Sequence, residues 1–392
     1  MTSFLAALVV LCALSSSAVA QVLSSGPVER SEGALTTSFH ISQAVPYRVF
    51  TLDAPMRLVL DFQGVTEAEL QPEPLTAAGE ITAVTWGTYR PGTLRVVAEL
   101  AVPFKVEQVA LRPSDTGANL SVTLRETSVT DFAAATGAAF NAAWDLPKAQ
   151  SQPEPAQNKR FTIVLDPGHG GIDPGAQAGG VSEKELILEF ANDIRDALIA
   201  ADDIDVHLTR TDDYFVSLNR RVGLAHQVGA DAFVSLHADA LAEGRAHGAT
   251  VYVLSDDASD AATERLVGNH DRAELLSGVD LGDADDEVAH VLLEIARQET
   301  EPHARGLANA LVEAMGQTGG PMNRRPLRAG GFSVLKSADI PSVLIEVGFL
   351  SSPRDLANLK DRAWRIGMAK GVARGILNWK SEHALRKLLV RQ

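Results

Sequence analysis

Apolar positions along this chain follow two different periods. From about Val22 to Thr127 they fall in short segments bounded by turn residues: Leu35 to Ile41, Tyr47 to Leu52, Met56 to Phe62, Ile81 to Trp86, Leu94 to Leu100, Phe104 to Leu111 and Leu120 to Leu124. Short strand-like runs at this spacing predict a small all-β sandwich. From residue 160 onward, apolar strands alternate with helical periodicity. Phe161 to Leu165, Asp205 to Arg210, Ala232 to Leu236, Val251 to Leu254 and Val343 to Ile345 read as strands. Leu186, Ile187, Phe190, Ile194, Ala197 and Leu198 recur at helical spacing, and further helices are expected at Leu218–Ala225, Ala261–Leu276, Val288–Glu299, Gly306–Met315 and Ala363–Trp379. The alternation predicts an α/β domain over 160–380, a mostly parallel sheet flanked by helices. The basic end, Lys380 to Gln392, reads as a solvated tail.

Two segments carry neither period. Residues 128–159 are rich in alanine, then in proline and polar residues, and read as a linker that lets the second domain move relative to the first. Phe4 to Ala20 is an apolar stretch ending in Ala18-Val19-Ala20. It reads as a secretory signal peptide over 1–20, cleaved after Ala20 and too short for a spanning helix. The one cysteine, Cys12, lies inside it, so the mature chain has no thiol to offer a disulfide or a metal.

The candidate chemistry sits at strand ends. Leu165-Asp166-Pro167-Gly168-His169-Gly170-Gly171 puts His169 in a sharp turn after a strand, Leu236-His237 ends another, and Ile345-Glu346 ends a third. Side chains beyond the carboxyl ends of parallel strands can meet although far apart in sequence. Ser182-Glu183-Lys184-Glu185 reads as a capping box with Ser182 as N-cap, leaving Glu183 in the first turn facing the His169 loop. Two imidazoles and a carboxylate with an open fourth position describe a catalytic zinc site, with a further glutamate as general base. Taken singly, each of these residues is more often structural: a hydrogen-bonded histidine, a carboxylate on a helix dipole or a paired buried carboxylate. Asp166 reads first as a turn residue, and otherwise as an outer carboxylate close to His169. The formal charge of −15 over 392 residues excludes nucleic acid as a partner.

The ordered motifs Asp166-Pro167-Gly168-His169-Gly170-Gly171, Asp173-Pro174-Gly175-Ala176, Glu183-Lys184, Phe233-Val234-Ser235-Leu236-His237-Ala238-Asp239-Ala240 and Pro341 to Leu350 resemble a zinc-dependent N-acetylmuramoyl-L-alanine amidase of the periplasmic, cell-separating type. The resemblance implies Zn2+ held by His169, Glu183 and His237, Glu346 as the catalytic residue, peptidoglycan as substrate, and a periplasmic location in a Gram-negative bacterium. Arg210 and Arg221 fall at recurrent positions of that family, as substrate contacts or structural ion pairs. The run Arg57 to Val65 resembles the AMIN domain, which implies a wall-localisation role for 22–127. The acidic segment at about 255–305 is longer than a connection requires and resembles the regulatory insert of cell-division amidases, where a helix covers the zinc until an activator protein displaces it. On that resemblance His270, Glu264, Asp271 or Glu274 blocks the open zinc position, and Val288, Leu292, Leu293 and Ile295 offer the activator an apolar surface. A zinc peptidoglycan peptidase and a non-catalytic wall-binding scaffold stay open as alternatives.

Overall fold

A computed structural model of the chain describes residues 22–137 and 160–390, apart from 32, 71–74, 77–78, 203, 242–245, 256–257, 277–286 and 337–338. The expected signal peptide and most of the expected linker lie outside these residues.

The first domain comprises strands β1 (Val22–Ser25), β2 (Glu29–Ser31), β3 (Ala34–Ile41), β4 (Tyr47–Leu52), β5 (Arg57–Gln63), β6 (Glu67–Glu69), β7 (Ile81–Arg90), β8 (Thr93–Leu100), β9 (Phe104–Ser114) and β10 (Gly117–Glu126), then the short helix α1 (Val129–Ala135). They form two sheets, β6-β1-β3-β10-β9 with β2 against β3, and β4-β5-β8-β7. The strict alternation of exposure along β3 and β10 follows from one face lying on the core between the sheets. β5 does not alternate: six consecutive residues, Arg57 to Phe62, are buried. One face packs Leu58, Leu60 and Phe62 into the sandwich, while Val59 turns the other way, joining Phe50, Leu52 and Val97 against Ile172 and Phe215 of the second domain. The two domains are therefore packed together, not freely tethered as the linker composition predicts.

The second domain runs β11 (Thr162–Pro167), β12 (Gln177–Ala178), β13 (Val181–Ser182), α2 (Glu183–Ala201), β14 (Asp205–Leu208), α3 (Leu218–Gln227), β15 (Ala232–His237), β16 (Ala249–Leu254), α4 (Ala261–Leu276), α5 (Glu287–Gly316), β17 (Met322–Gly330), β18 (Ser342–Glu346), α6 (Pro353–Lys360) and α7 (Arg362–Val390). The sheet order is β14-β11-β15-β18-β16-β17. β14, β11, β15 and β18 are mutually parallel, and β16 enters antiparallel to β18. Alternate residues of each central strand feed opposite faces. Ile163, Leu165, Val343 and Ile345 meet Ile187, Phe190 and Ile194 of α2, Leu307 and Leu311 of α5, and Val372 and Ile376 of α7. On the other face Val164, Phe233 and Leu344 meet Ala225 of α3, Leu266 of α4 and Phe332. Burial of each such large apolar side chain contributes about 2 kcal/mol, which fixes the strand ends that carry the candidate chemistry.

Three local expectations change. Helix α5 is continuous across Pro302, where a break between two helices is predicted. The proline costs one intrahelical bond, and burial of Leu307, Ala308 and Leu311 just beyond it offsets that loss. The basic tail continues α7 to Val390 instead of ending as coil. Ser182 does precede α2, yet its hydroxyl makes no capping bond. The Ala176 and Pro174 carbonyls accept from the Glu183 and Lys184 amides instead, so the turn after His169 caps the helix.

Candidate metal centre

The register brings the four expected residues together. His237 and Glu346 are paired neighbours at the ends of β15 and β18. His169 lies two residues past Pro167, which pairs with Leu236, and Glu183 opens α2. His169, Glu183 and His237 each offer a ligand atom, all within 4.8 Å of one another, and all three are buried. The His169 and His237 rings meet edge to face at 4.9 Å. His169 Nδ1 is 2.7 Å from Asp173 Oδ2, an outer carboxylate that fixes ring and tautomer as metal-binding histidines require. Its Nε2 lies 3.2 Å from Glu183 Oε1 but makes no hydrogen bond. A buried imidazole nitrogen left unbonded beside a carboxylate fits a metal ligand better than a structural histidine. Glu183 is held by the Ala238 amide on Oε1 and the Ala176 amide on Oε2. A side chain at Gly175 would lie 2.6 Å from the His169 ring and 2.7 Å from Glu183 Oε2, so only glycine lets this turn close on the cluster.

The backbone at His169 is strained. Its φ is +59°, a conformation that costs a non-glycine residue about 1–3 kcal/mol and persists only where its surroundings over-determine it. Arg221 supplies much of that hold, with Nη2 donating to the His169 carbonyl at 2.9 Å, and Nη1 to Pro167 O at 2.9 Å and to Asp166 Oδ1 at 2.7 Å. Arg210 donates to the carbonyls of Pro167, Gly168 and Lys184. Both arginines are buried and clamp the loop, and Arg221 also lines the cavity over the cluster. Asp166 is more than a turn residue, since it is fully buried and accepts from Thr209, Arg221 and Ser235. Burial raises its carboxyl, but Arg221 and these hydroxyls outweigh that and hold it below its usual range.

Glu183 and Glu346 titrate in opposite directions. Burial pushes Glu183 up, but His169 and then His237 outweigh it and hold its carboxyl well below the usual value. Burial, then the neighbouring charges of Asp239 and Glu183, push Glu346 well above it. Burial and the charge of His270 lower His237 to about 4. Glu346 Oε2 accepts from the Asp239 amide at 3.0 Å, whereas the buried Oε1 has no hydrogen-bond partner. Carboxylates pushed apart in this way are suited to different parts in acid–base chemistry.

Helix α4 closes over this site. The His270 ring lies 4.2 Å from that of His237 and packs edge to face on Phe332. Its Nε2, itself without a hydrogen bond, is 3.5 Å from Asp239 Oδ2 and 3.9 Å from Glu346 Oε1. A cavity of about 30 Å³ remains over the cluster, enough for a water and far too small for a peptide stem. Among the four candidates to block the site, Glu264 is exposed, Asp271 lines the cavity, and the Glu274 side chain lies outside the described residues, as do those of Val288, Leu292, Leu293 and Ile295.

This geometry agrees with what the chain matches. The family model described as N-acetylmuramoyl-L-alanine amidase matches residues 163–378. The chain belongs to the N-acetylmuramoyl-L-alanine amidases. Residues 28–124 of this amidase match the AMIN domain. It is 30% identical over 367 residues to the N-acetylmuramoyl-L-alanine amidase AmiC of Neisseria meningitidis serogroup B, a match covering 88% of this chain and 86% of that protein. It is 35% identical over 219 residues to AmiA of Escherichia coli, covering 55% of this chain and 75% of that one. The solved structure of AmiC2 from Nostoc punctiforme is 28% identical, covering 56% of this chain and 97% of its own, with a TM-score of 0.42.

Sequence reasoning missed Asp173 as the residue that orients His169, and Thr209 and Ser235 as hydroxyl partners of Asp166. The four-residue spacing from His169 to Asp173 was the available signal for the first. The hydroxyls come from strand β15 and from the residue just past β14 and had none.

Proposed function

We propose that this amidase is a zinc hydrolase that cleaves the amide bond between N-acetylmuramic acid and L-alanine in peptidoglycan. The observation that carries the reading is a buried His169–Glu183–His237 cluster with an unbonded imidazole nitrogen, set beside a glutamate whose second oxygen is free. The three-residue donor set suits zinc and leaves a coordination position open. When bound there, zinc supplies a Lewis acid for the amide carbonyl and lowers the pKa of a water. Glu346 takes the attacking water's proton on Oε1 and delivers it to the leaving L-alanine nitrogen. The Asp239 amide on Oε2 keeps that carboxyl aimed. The products are a lactyl carboxylate on the sugar and a free amine on the stem peptide.

The closed site supports a resting state. His270 occupies the space above His237 and Glu346, and of the candidate blocking residues it is the one whose unbonded nitrogen faces both. We assign it the role of plug, with displacement of α4 by an activator docking on the 255–305 insert as the opening step. Secretion to the periplasm by a cleaved 1–20 signal, with wall localisation by the β-domain, completes the reading. No helix among the described residues is long and apolar enough to cross a membrane.

Purified peptidoglycan is digested with zinc-loaded full-length chain, a chain lacking residues 258–303, and Glu346→Ala, and the products are weighed by mass spectrometry. Intact stem peptides released from undegraded glycan, most from the deletion and none from Glu346→Ala, are expected. Cuts inside the peptide would make the chain a peptidase, and no cleavage despite bound zinc would favour a scaffold.

A further inference from the structure

The outer face of the β4-β5-β8-β7 sheet bears directly on the loop that carries His169. An antiparallel sheet of a small sandwich ordinarily leaves this face to water. Here Phe50, Leu52, Val59 and Val97 cover Ile172 and Phe215. Edge strand β7 extends the contact through its backbone, the Thr88 carbonyl accepting from the Phe215 amide at 3.0 Å. The Tyr89 ring stacks on Phe215 at 5.6 Å. Behind Tyr89 the Arg95 guanidinium lies 3.3 Å from the ring centroid, held by Asp61 through two bonds of 2.7 and 2.9 Å. The row Asp61–Arg95–Tyr89–Phe215 is therefore a braced column aimed at the second domain.

The far side of the contact is the metal loop. Gly170 and Gly171 follow the strained His169 with φ of +126° and +57°. The Gly171 amide donates to Asp213, its carbonyl accepts from Lys184, and Thr88 covers its remaining side. A β-carbon at Gly171 would lie 1.7 Å from the Thr88 carbonyl oxygen, and one at Gly87 would lie 2.6 Å from Ile172 Cα. Both approaches need glycine, one from each domain.

We propose that the N-terminal β-domain, beyond any wall binding, is a positioning element for the metal loop. Its docking on Gly171, Ile172 and Phe215 completes the set of contacts that hold His169 in its left-handed conformation. This rests on the reading of His169 as a ligand. Domain separation would then loosen the loop and lower turnover even on a soluble fragment that needs no anchoring.

Two full-length variants test it by opposite means. Gly87→Val drives a side chain into Ile172 while suiting the strand's own conformation, and Tyr89→Ala removes the stack. Amide hydrogen exchange and kinetics on a soluble muropeptide are measured for both, with exchange in β8 as the check on folding. Protection at the Phe215 amide and across Gly168–Ile172 is expected to fall, and kcat to drop about tenfold or more with KM unchanged, since small displacements of a reacting constellation are costly. Lost protection at Phe215 with normal kcat and a normally protected loop would overturn the proposal. So would fast exchange at Phe215 in the wild-type chain, or no change in either variant. Failure of the wild-type chain to release stem peptides would instead sink the reading of the reaction, and exchange would still decide the docking.

Discussion

Asp173→Ala tests how much of the metal site lies outside its ligands. The carboxylate sits 2.7 Å from His169 Nδ1 and is 12% exposed on its side chain, so water screens the contact little. Its other oxygen accepts from the Gly175 amide at 3.0 Å, which ties it to the turn that closes on Glu183. Removing it frees the ring to rotate and the tautomer to change, and Nε2 then no longer points at the cluster by default. Loss of such an outer partner weakens metal binding about 10- to 100-fold, equivalent to about 1.4–2.7 kcal/mol. Asp173→Asn keeps one acceptor oxygen, enough for the ring N–H or for the Gly175 amide but not for both, and is expected to fall between wild type and alanine. Competition against a chromophoric chelator gives the affinity for zinc, and circular dichroism checks the fold. Unchanged zinc affinity in Asp173→Ala would refute the orienting role, and an asparagine variant as weak as alanine would refute the geometry assigned to it.

Other outcomes follow from the same contacts. His270→Ala is expected to raise hydrolysis by the full-length chain without any activator, and unchanged basal turnover would remove His270 as the plug. Asp239 helps hold Glu346 high, after burial itself, so Asp239→Asn is expected to move the acid limb of the activity profile to lower pH; a static limb would mean that the limb does not report Glu346. Asp61 is held below its usual range because Arg95 and Arg48 outweigh its burial. A carboxyl depressed in the folded state stabilises above its unfolded pKa of about 3.9, and that contribution is lost as pH falls through the lower folded value. Asp61→Ala takes the carboxylate away from the buried Arg95, with an expected loss of about 3–5 kcal/mol at neutral pH; a loss that did not shrink on acidification would contradict the pairing.

Much of the site was legible because parallel strands deliver side chains to a common edge. Once Val164, Phe233 and Leu344 are read as buried strands, His169, His237 and Glu346 have one place to meet, and the turn before α2 brings Glu183 to it. What could not be read depends on contacts between segments with no sequence relation. Leu58-Val59-Leu60 in β5 places apolar side chains on both faces of the strand, but nothing in it names Phe215 as the cover, so the polar linker suggested a mobile domain. Ser182 is the right residue type for a cap and lost the role to the Ala176 and Pro174 carbonyls, because the loop that follows His169 lies there. Pro302 lies in a continuous helix because burial beyond it outweighs a local preference.

The central claim is that water adds across the amide joining muramic acid to L-alanine, with Glu346 managing the proton. A purified muropeptide digested in heavy-oxygen water by the 258–303 deletion, followed by mass spectrometry of both fragments, tests it most directly. The account predicts one heavy oxygen on the sugar's lactyl carboxylate, none on the released stem peptide, and no products with Glu346→Gln. Heavy oxygen in a carboxylate of the stem peptide, or undiminished cleavage by Glu346→Gln, would contradict it.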